Sequence, residues 1–366
     1  MSKPMAVTLP VVLLILDWYP YDRFRGGGAT KRILLEKLPF VALSLISCVL
    51  TILAQRSGSA VVPLETLVFS VRVIVAFKVL IMYLLKIVLP VGLIPFYFYP
   101  LQVYLFSFEF GIPVLLVLAI TILCVMTLRK RKFIAATWGY YVVTLLPVLG
   151  IIQVGAQEMA DRYTYLPSLG PFLFIGAACA WMFETLPAKR RSDFADKLML
   201  LAFFVLLTGV LSFMTVKQTK IWKDGIVMWS RVIEIASGHP VIYRAYNNRG
   251  LEYQNRGQVR AALDDFERAI RIAPYDPMAF SNRASLNIDI KNYREAIEDY
   301  NQAIRLSKTP NPDYYNNRGV AYVALGDYEL AVKDYTEAIN LSTVAKYDYY
   351  KNRGISHKKL GHFNEA

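Results

Sequence analysis

The string NNRG at 247–250 returns as SNRA at 281–284, NNRG at 316–319 and KNRG at 351–354, at spacings of 34, 35 and 35 residues. A fixed period of this size confines the second half of the chain to an array in which each unit buries its apolar face only against its neighbours. Small residues return where two helices have to cross closely. Gly250, Ala284, Gly319 and Gly354 do so in the first helix of each unit, Ala262, Ala296, Ala331 and Ala366 early in the second, and Ala269, Ala303 and Ala338 late in it. Tyr253, Phe266, Tyr300, Tyr322 and Tyr335 are spaced to fill the pocket between the helices, and Pro274 closes the first unit. The period predicts an all-α solenoid with units at 243–276, 277–311 and 312–346 and an incomplete unit at 347–366.

This spacing resembles the tetratricopeptide repeat, or TPR. The second unit departs from the pattern: Asn287 takes the aromatic slot of the first helix, and Lys291 stands where the others have Gly257, Gly326 and Gly361. Residues 222–242, with Trp222 and Trp229, read as a degenerate leading helix and linker. The chain stops early in the second helix of the fourth unit, and a stacked array with an open last face is expected to be a fragment of a longer one. Asn248, Asn282, Asn317 and Asn352 recur on the first helices, each followed by an Arg. On a concave face such amides form a ladder suited to the backbone of an extended protein or peptide. The competing reading has the Asn side chains bonding neighbouring helices and the Arg side chains covering acids of the adjoining unit.

The first half obeys different physics. Hydrophobic residues make up 55% of the chain, and many lie in runs that reach the roughly 17–25 residues a hydrocarbon core requires. Five runs read as spans, at 38–56, 112–128, 133–154, 167–186 and 198–216, within a multi-pass transmembrane helical domain at 38–221. Residues 5–16 are apolar but short, and with the basic stretch after them they form a first region, 1–37, read as a truncated membrane segment and a cytoplasmic loop. A signal peptide fits less well, because no small-residue cleavage site follows. The segment 73–96 carries Lys78 and Lys86 on roughly one helix face and ends in Pro90, Gly92 and Pro95, which favours an interfacial or re-entrant element with snorkelling lysines.

Residues 1–242 hold 23 basic and 12 acidic side chains, against 18 and 16 in 243–366, so the net charge of +13 belongs mainly to the apolar half. There the cations cluster in short loops, as orientation signals do, and no nucleic-acid partner is expected. If the basic loops 17–37, 129–132 and 187–197 are cytoplasmic, the loop 155–166 and everything after residue 217 lie outside, and the TPR domain is extracytoplasmic; Lys217, Lys220 and Lys223 run against this trend. Cys48, Cys124 and Cys179 show neither CxxC nor Cys/His spacing, so no disulfide and no metal are expected.

The outward loop 155–166 with the following Pro167 reads GAQEMADRYTYLP. One reading is structural: Asp161 caps a turn and pairs with Arg162, and the tyrosines anchor at the interface. The other is functional: Arg162 binds a lipid-linked phosphate through its planar fork, Asp161 and Glu158 orient it, and Tyr163 and Tyr165 mark the lipid boundary. Lys78 and Lys86 are further phosphate candidates.

SKPMAVTLPVVLLILDWYP at 2–20, FYFYP at 96–100 and MADRYTYLPSLGPF at 159–172, followed by the repeats, resemble the carboxy-terminal part of bacterial and archaeal relatives of the transmembrane-and-TPR protein O-mannosyltransferases, a branch of the GT-C membrane glycosyltransferases. The resemblance implies a donor substrate of the polyprenyl-phosphate sugar type, no tightly bound cofactor, membrane lipid as surroundings and a protein acceptor presented by the repeats. It also implies that the catalytic carboxylates belong to an outward loop upstream of the segment like 2–20, and no acidic pair of that kind occurs in the outward loops here. Three function classes follow: a glycosyltransferase or a part of one, a noncatalytic membrane-tethered TPR scaffold, and a transporter-like channel. The last is least favoured, because the spans hold few ionisable residues and no inverted repeat.

Overall fold

The computed structural model describes residues 7–25, 29–57, 68–95, 97–100, 102–151, 157–185 and 194–365. The described elements are helices apart from one two-stranded antiparallel ribbon. The chain divides into two compact units, Met1–Thr219 and Lys220–Ala366.

The first unit contains α1 (Leu9–Trp18), α2 (Ala29–Ser57), α3 (Phe69–Val88), α4 (Phe108–Thr127), α5 (Lys132–Leu145), α6 (Leu169–Thr185) and most of α7 (Phe194–Lys223), with β1 (Tyr97–Phe98) and β2 (Gln157–Met159). Its core is built on α3. Val75, Val79, Leu80 and Tyr83 are packed against Phe110 and Val117 of α4, Tyr141 and Leu145 of α5, and Met159 of β2. Lys78, expected to snorkel from the interfacial or re-entrant element at 73–96, is instead buried with Arg72 in α3, which packs at the centre of the unit. Carboxylates from two other elements neutralise Lys78, which is why this cation can occupy a core.

Among the described residues three stretches are long and apolar enough to cross a membrane: Ala29–Leu53, Phe108–Thr127 and Leu201–Lys223. In the last of these none of the apolar window is buried inside the protein. Phe203, Val205, Leu206 and Phe213 of this helix are all exposed among the described residues, an apolar face that suits an apolar environment. The helix expected over 133–154 stops at Leu145. Pro147 has no N–H to continue the ladder, a 3-10 turn follows at Leu146–Val148, and Gly150 reverses the backbone at φ +76°. At about 1.5 Å per residue, α5 is about 21 Å long, short of a roughly 30 Å core. Residues 152–156 and 186–193, which include the ends of two expected spans and Lys189, Arg190 and Arg191, lie outside the described residues, as do Met1–Ala6.

The stretch expected as a basic loop at 17–37 is partly helical. Lys31, Arg32 and Lys37 belong to the start of α2, which continues through Pro39. Arg23 bridges Asp17 and Glu36 at 2.8 and 2.7 Å, Lys37 reaches Asp17 at 2.7 Å, and Lys132 reaches Asp22 at 2.6 Å. These cations tie α1, α2 and α5 together as well as carrying charge.

In the second unit α8 (Gly225–Ile235) precedes three complete helix pairs: α9 (Tyr243–Asn255) with α10 (Val259–Ile272), α11 (Pro277–Asp289) with α12 (Tyr293–Leu306), and α13 (Pro312–Leu325) with α14 (Tyr328–Leu341); α15 (Tyr347–Lys359) follows. Asp224, Asp276 and Asn311 cap α8, α11 and α13 with side-chain oxygens on the first free N–H groups. The recurrent glycine is a matter of space: a Cβ on Gly250 would lie 2.6 Å from the Phe266 ring, and one on Gly319 would lie 2.8 Å from Tyr335. The first helices touch one another from unit to unit, α9 with α11, α11 with α13 and α13 with α15, whereas the second helices make no comparable contact among the described residues. First helices therefore form the tighter, inner layer of the array.

Candidate functional site

In the first unit the polar residues converge on the ribbon. Tyr97 and Phe98 of β1 pair with Met159 and Gln157 of β2, bringing the FYFYP stretch and the ADRYTYLP stretch together. Tyr83 of α3 pins the end of β2 by donating to the Ala160 carbonyl at 3.1 Å and accepting from the Ala160 N–H at 3.0 Å. Glu158 is buried and faces Lys78 Nζ at 3.0 and 3.2 Å, while Glu109 of α4 reaches the same Nζ at 2.9 Å. Burial pushes the Glu158 carboxyl above the ordinary carboxylate range, and Lys78 opposes that shift.

Asp161 opens a 3-10 turn, Asp161–Thr164, yet its side chain does not cap it. It accepts from the Ile94 N–H at 2.8 Å and from the Tyr97 hydroxyl at 3.0 Å. Burial raises its pKa to about 6, against the pull of those two donors and of Lys86. Lys86 itself donates to the carbonyls of Val91 and Gly92, at 2.6 and 3.3 Å, beyond the end of α3.

Arg162 is placed differently from either sequence reading. It pairs with neither Asp161 nor Glu158; its guanidinium lies 5.1 Å above the Tyr163 ring and reaches the Tyr163 hydroxyl only at 3.4 Å. Gln157 donates to the same hydroxyl, also at 3.4 Å. The side chain is exposed, as is Tyr165. The two carboxylates expected to orient Arg162 are turned inward because α3 and the ribbon supply buried donors that need acceptors. An exposed, planar cation resting on a tyrosine, with no carboxylate partner among the described residues, can receive an anionic group from outside.

In the repeats the Asn ladder is divided. Asn282 donates to Asn247 of the preceding unit at 2.9 Å, and Asn352 donates to Asn316 at 3.1 Å. Asn317 accepts from Asn316 at 3.0 Å. Asn248 makes no hydrogen bond among the described residues, so it is the ladder member with an amide to offer. The Arg side chains bind acids of their own unit rather than the next one. Arg249, Arg283 and Arg318 each grip a buried Asp sixteen residues on, Asp265, Asp299 and Asp334, through two bonds of 2.6–2.9 Å. The remaining nitrogen of Arg249 reaches back to Ser230 of α8 at 3.0 Å and that of Arg318 to Asn301 of α12, and one nitrogen of Arg353 reaches Thr336 of α14 at 3.5 Å. The position matching Asn301 in the unit before Arg283 is Glu267, whose charge attracts Arg283. Tyr246 with Tyr253, and Tyr315 with Tyr322, also enclose Arg249 and Arg318. In the second unit Asn287 replaces the second tyrosine and approaches Asp299 at 3.5 Å.

The second unit is a tetratricopeptide-repeat array. The tetratricopeptide repeat profile matches residues 243–276 and 312–342, and a profile described as TPR repeat matches 288–326. The chain is similar to protein O-mannosyl-transferase Tmtc3 of Drosophila melanogaster, 26% identical over 174 residues, which make up 48% of this chain and 18% of that protein. It is also similar to a tetratricopeptide repeat protein 36 homolog of Nematostella vectensis, 38% identical over 64 residues, or 18% of this chain and 35% of that one. The chain thus spans about a third or less of the length of either relative. Among solved structures, the first TPR of Spaghetti (RPAP3) bound to an HSP90 peptide is 26% identical with a TM-score of 0.31, covering 32% of this chain and 93% of that one. MamA is 18% identical with a TM-score of 0.37, covering 40% and 85%.

Proposed function

We propose that this is an integral, multi-pass membrane protein whose repeats, outside the cytoplasm, hold a protein or peptide on their inner face, while its membrane unit engages a polyprenyl-phosphate sugar destined for that protein. The observation that carries the donor side is Arg162: exposed, stacked on Tyr163 and without a carboxylate partner among the described residues. Its fork is free for two charge-assisted bonds to a phosphate, and Tyr163 and Tyr165 mark where headgroups meet lipid. The likeness to a protein O-mannosyl-transferase supports the transfer reaction. In this reading Asp161, bonded to the Ile94 N–H, and Glu158, bonded to Lys78, support the ribbon rather than orient Arg162. On the repeat side Asn248 offers the free amide, and the inner layer of first helices provides the groove.

The test is donor binding and sugar transfer in vesicles given a radiolabelled polyprenyl-phosphate sugar. Bonds to a charged group contribute about 1.5–3 kcal/mol, so Arg162→Ala is expected to weaken donor binding by roughly 10- to 150-fold. Donor binding equal to wild type in Arg162→Ala overturns the assignment. A second reading has its own support: both carboxylates of the loop are engaged, leaving neither free as a general base. It predicts a membrane-anchored TPR scaffold that captures peptides on Asn248 and its neighbours and transfers no sugar.

A further inference from the structure

The chain has three histidines, and two of them meet in one turn of the array. His357 lies in the last turn of α15 and His362 follows Gly361, which takes φ +81°. That left-handed turn bends the backbone back, so that the His362 N–H bonds the His357 carbonyl at 2.9 Å and the Glu365 N–H approaches the His362 carbonyl at 3.2 Å. Nδ1 of His357, Nδ1 of His362 and the Glu365 carboxylate consequently face a common point. Glu365 Oε2 is 3.2 Å from His357 Nδ1 and 4.0 Å from His362 Nδ1, and one ligand atom from each residue lies within 4.8 Å of the other two.

His357 Nδ1 is closed to solvent and has no hydrogen bond, because Glu365 approaches it outside hydrogen-bond geometry. A buried ring nitrogen facing a carboxylate oxygen without a bonding proton between them is what a cation would satisfy. The other repeats lack the combination. Tyr253, Asn287 and Tyr322 stand in the slot of His357; Gln258, Asn292 and Asp327 stand in that of His362; Ala261, Glu295 and Leu330 stand in that of Glu365. The fourth unit thus departs from all the others at the two histidine positions and shares its Glu only with the second unit, and only here do the three side chains occur together.

We propose that His357, His362 and Glu365 form a binding site for a divalent transition-metal ion of the zinc type, fastening the end of α15 to the turn that follows it. The sequence reading had expected no metal. Two imidazoles and one carboxylate are a usual three-ligand zinc set, with a fourth position open to water. At bond lengths of 2.0–2.2 Å, ligand atoms around a tetrahedral ion sit about 3.3 Å apart, so the exposed ends of His362 and Glu365 have to close by about 1 Å. One carboxylate with two neutral nitrogens suits zinc and discriminates against calcium and magnesium, which demand more oxygen ligands.

The experiment uses the full chain in detergent, stripped of metal and titrated with Zn²⁺ by calorimetry and with Co²⁺ by visible absorption. One equivalent and a tetrahedral cobalt spectrum are expected. His357→Tyr restores the aromatic residue of the first and third units and His362→Asn the residue of the second, so both variants keep the repeat's own packing chemistry and neither supplies a new carboxylate ligand. Each is expected to abolish uptake with no change in helical circular dichroism, while His239→Ala takes up metal as wild type does. With free Zn²⁺ at a hundred times its Kd, amide exchange in residues 354–365 slows by up to about 100-fold. Uptake below a tenth of an equivalent, uptake that survives both His variants, or equal uptake of Ca²⁺ or Mg²⁺ overturns the site.

Discussion

Replacing Lys291 with glycine is expected to stabilise the repeat array. Gly257, Gly326 and Gly361 close their helix pairs at φ +69°, +89° and +81°, and Lys291 adopts the same left-handed conformation at φ +66°. A Cβ in that region costs about 1–2 kcal/mol, because it crowds the following carbonyl. Glycine relieves the strain but gives the unfolded chain more freedom, which returns about 0.4–1 kcal/mol. The net gain is about 0.5–1 kcal/mol. The unit Lys220–Ala366 has its own buried clusters and suits urea and thermal unfolding followed by circular dichroism. For a domain of this size 1 kcal/mol moves Tm by about 2–4 °C. Lys291→Asn, which tolerates the left-handed region, should gain part of the effect, Lys291→Ala none, and Gly326→Ala should lose about 1 kcal/mol. A midpoint for Lys291→Gly at or below that of the parent, with Gly326→Ala lowered as expected, would refute the strain argument.

Arg318→Ala leaves Asp334, 4% exposed, without its partner, and should cost about 3–5 kcal/mol in the same unfolding assay; replacing both with apolar residues of similar volume should recover most of that loss. Asp161→Ala strands the Ile94 N–H and leaves the Tyr97 hydroxyl only the Gly92 carbonyl, so exchange protection of the ribbon should fall by about 1–3 kcal/mol, whereas Asp161→Asn keeps the acceptor and should cost far less. Because the folded-state pKa of Asp161 is raised to about 6 from 3.8, its protonated form is the stabilised one. The stability it contributes is full below about pH 4 and is lost as pH rises through 6, a dependence that ribbon exchange should show in the parent and not in Asp161→Asn. Replacing Asn248, Asn282, Asn317 and Asn352 together by Ala should lower array stability by about 1 kcal/mol for each inter-unit bond lost, while Asn248→Ala alone should weaken peptide capture with little change in melting.

The array was legible because its period is written in small residues, which mark where helices cross whatever the rest of the surface does. Lys291 stands where the other units have glycine, and the turn forms all the same: it is imposed by the packing of α11 on α12, and lysine accepts the strain. Asp265, Asp299 and Asp334 repeat with the same period as the Arg residues, a signal that could have located the Arg partners within the unit. The role of α3 was not legible. Lys78 and Lys86 read as snorkelling lysines on one helix face, whereas Glu158, which with Glu109 meets Lys78 in the interior, is 80 residues away. Arg162 was picked out by its composition and company, but the direction of Asp161 and Glu158 depended on donors in α3 and before β1 that local spacing does not encode. His357, His362 and Glu365 were not legible as a group, because the turn at Gly361 that brings them together is not written in their spacing.

The backward reach of the arginines gives the array a direction. Arg249, Arg318 and Arg353 each touch a residue on the helix just before their own unit, Ser230, Asn301 and Thr336. A ribosome delivers the chain in that same order, so each guanidinium emerges after the surface it has to grip. Growth can then proceed as a crystal does from a seed, with α8 as the first facet and every new pair of helices adding to a finished edge.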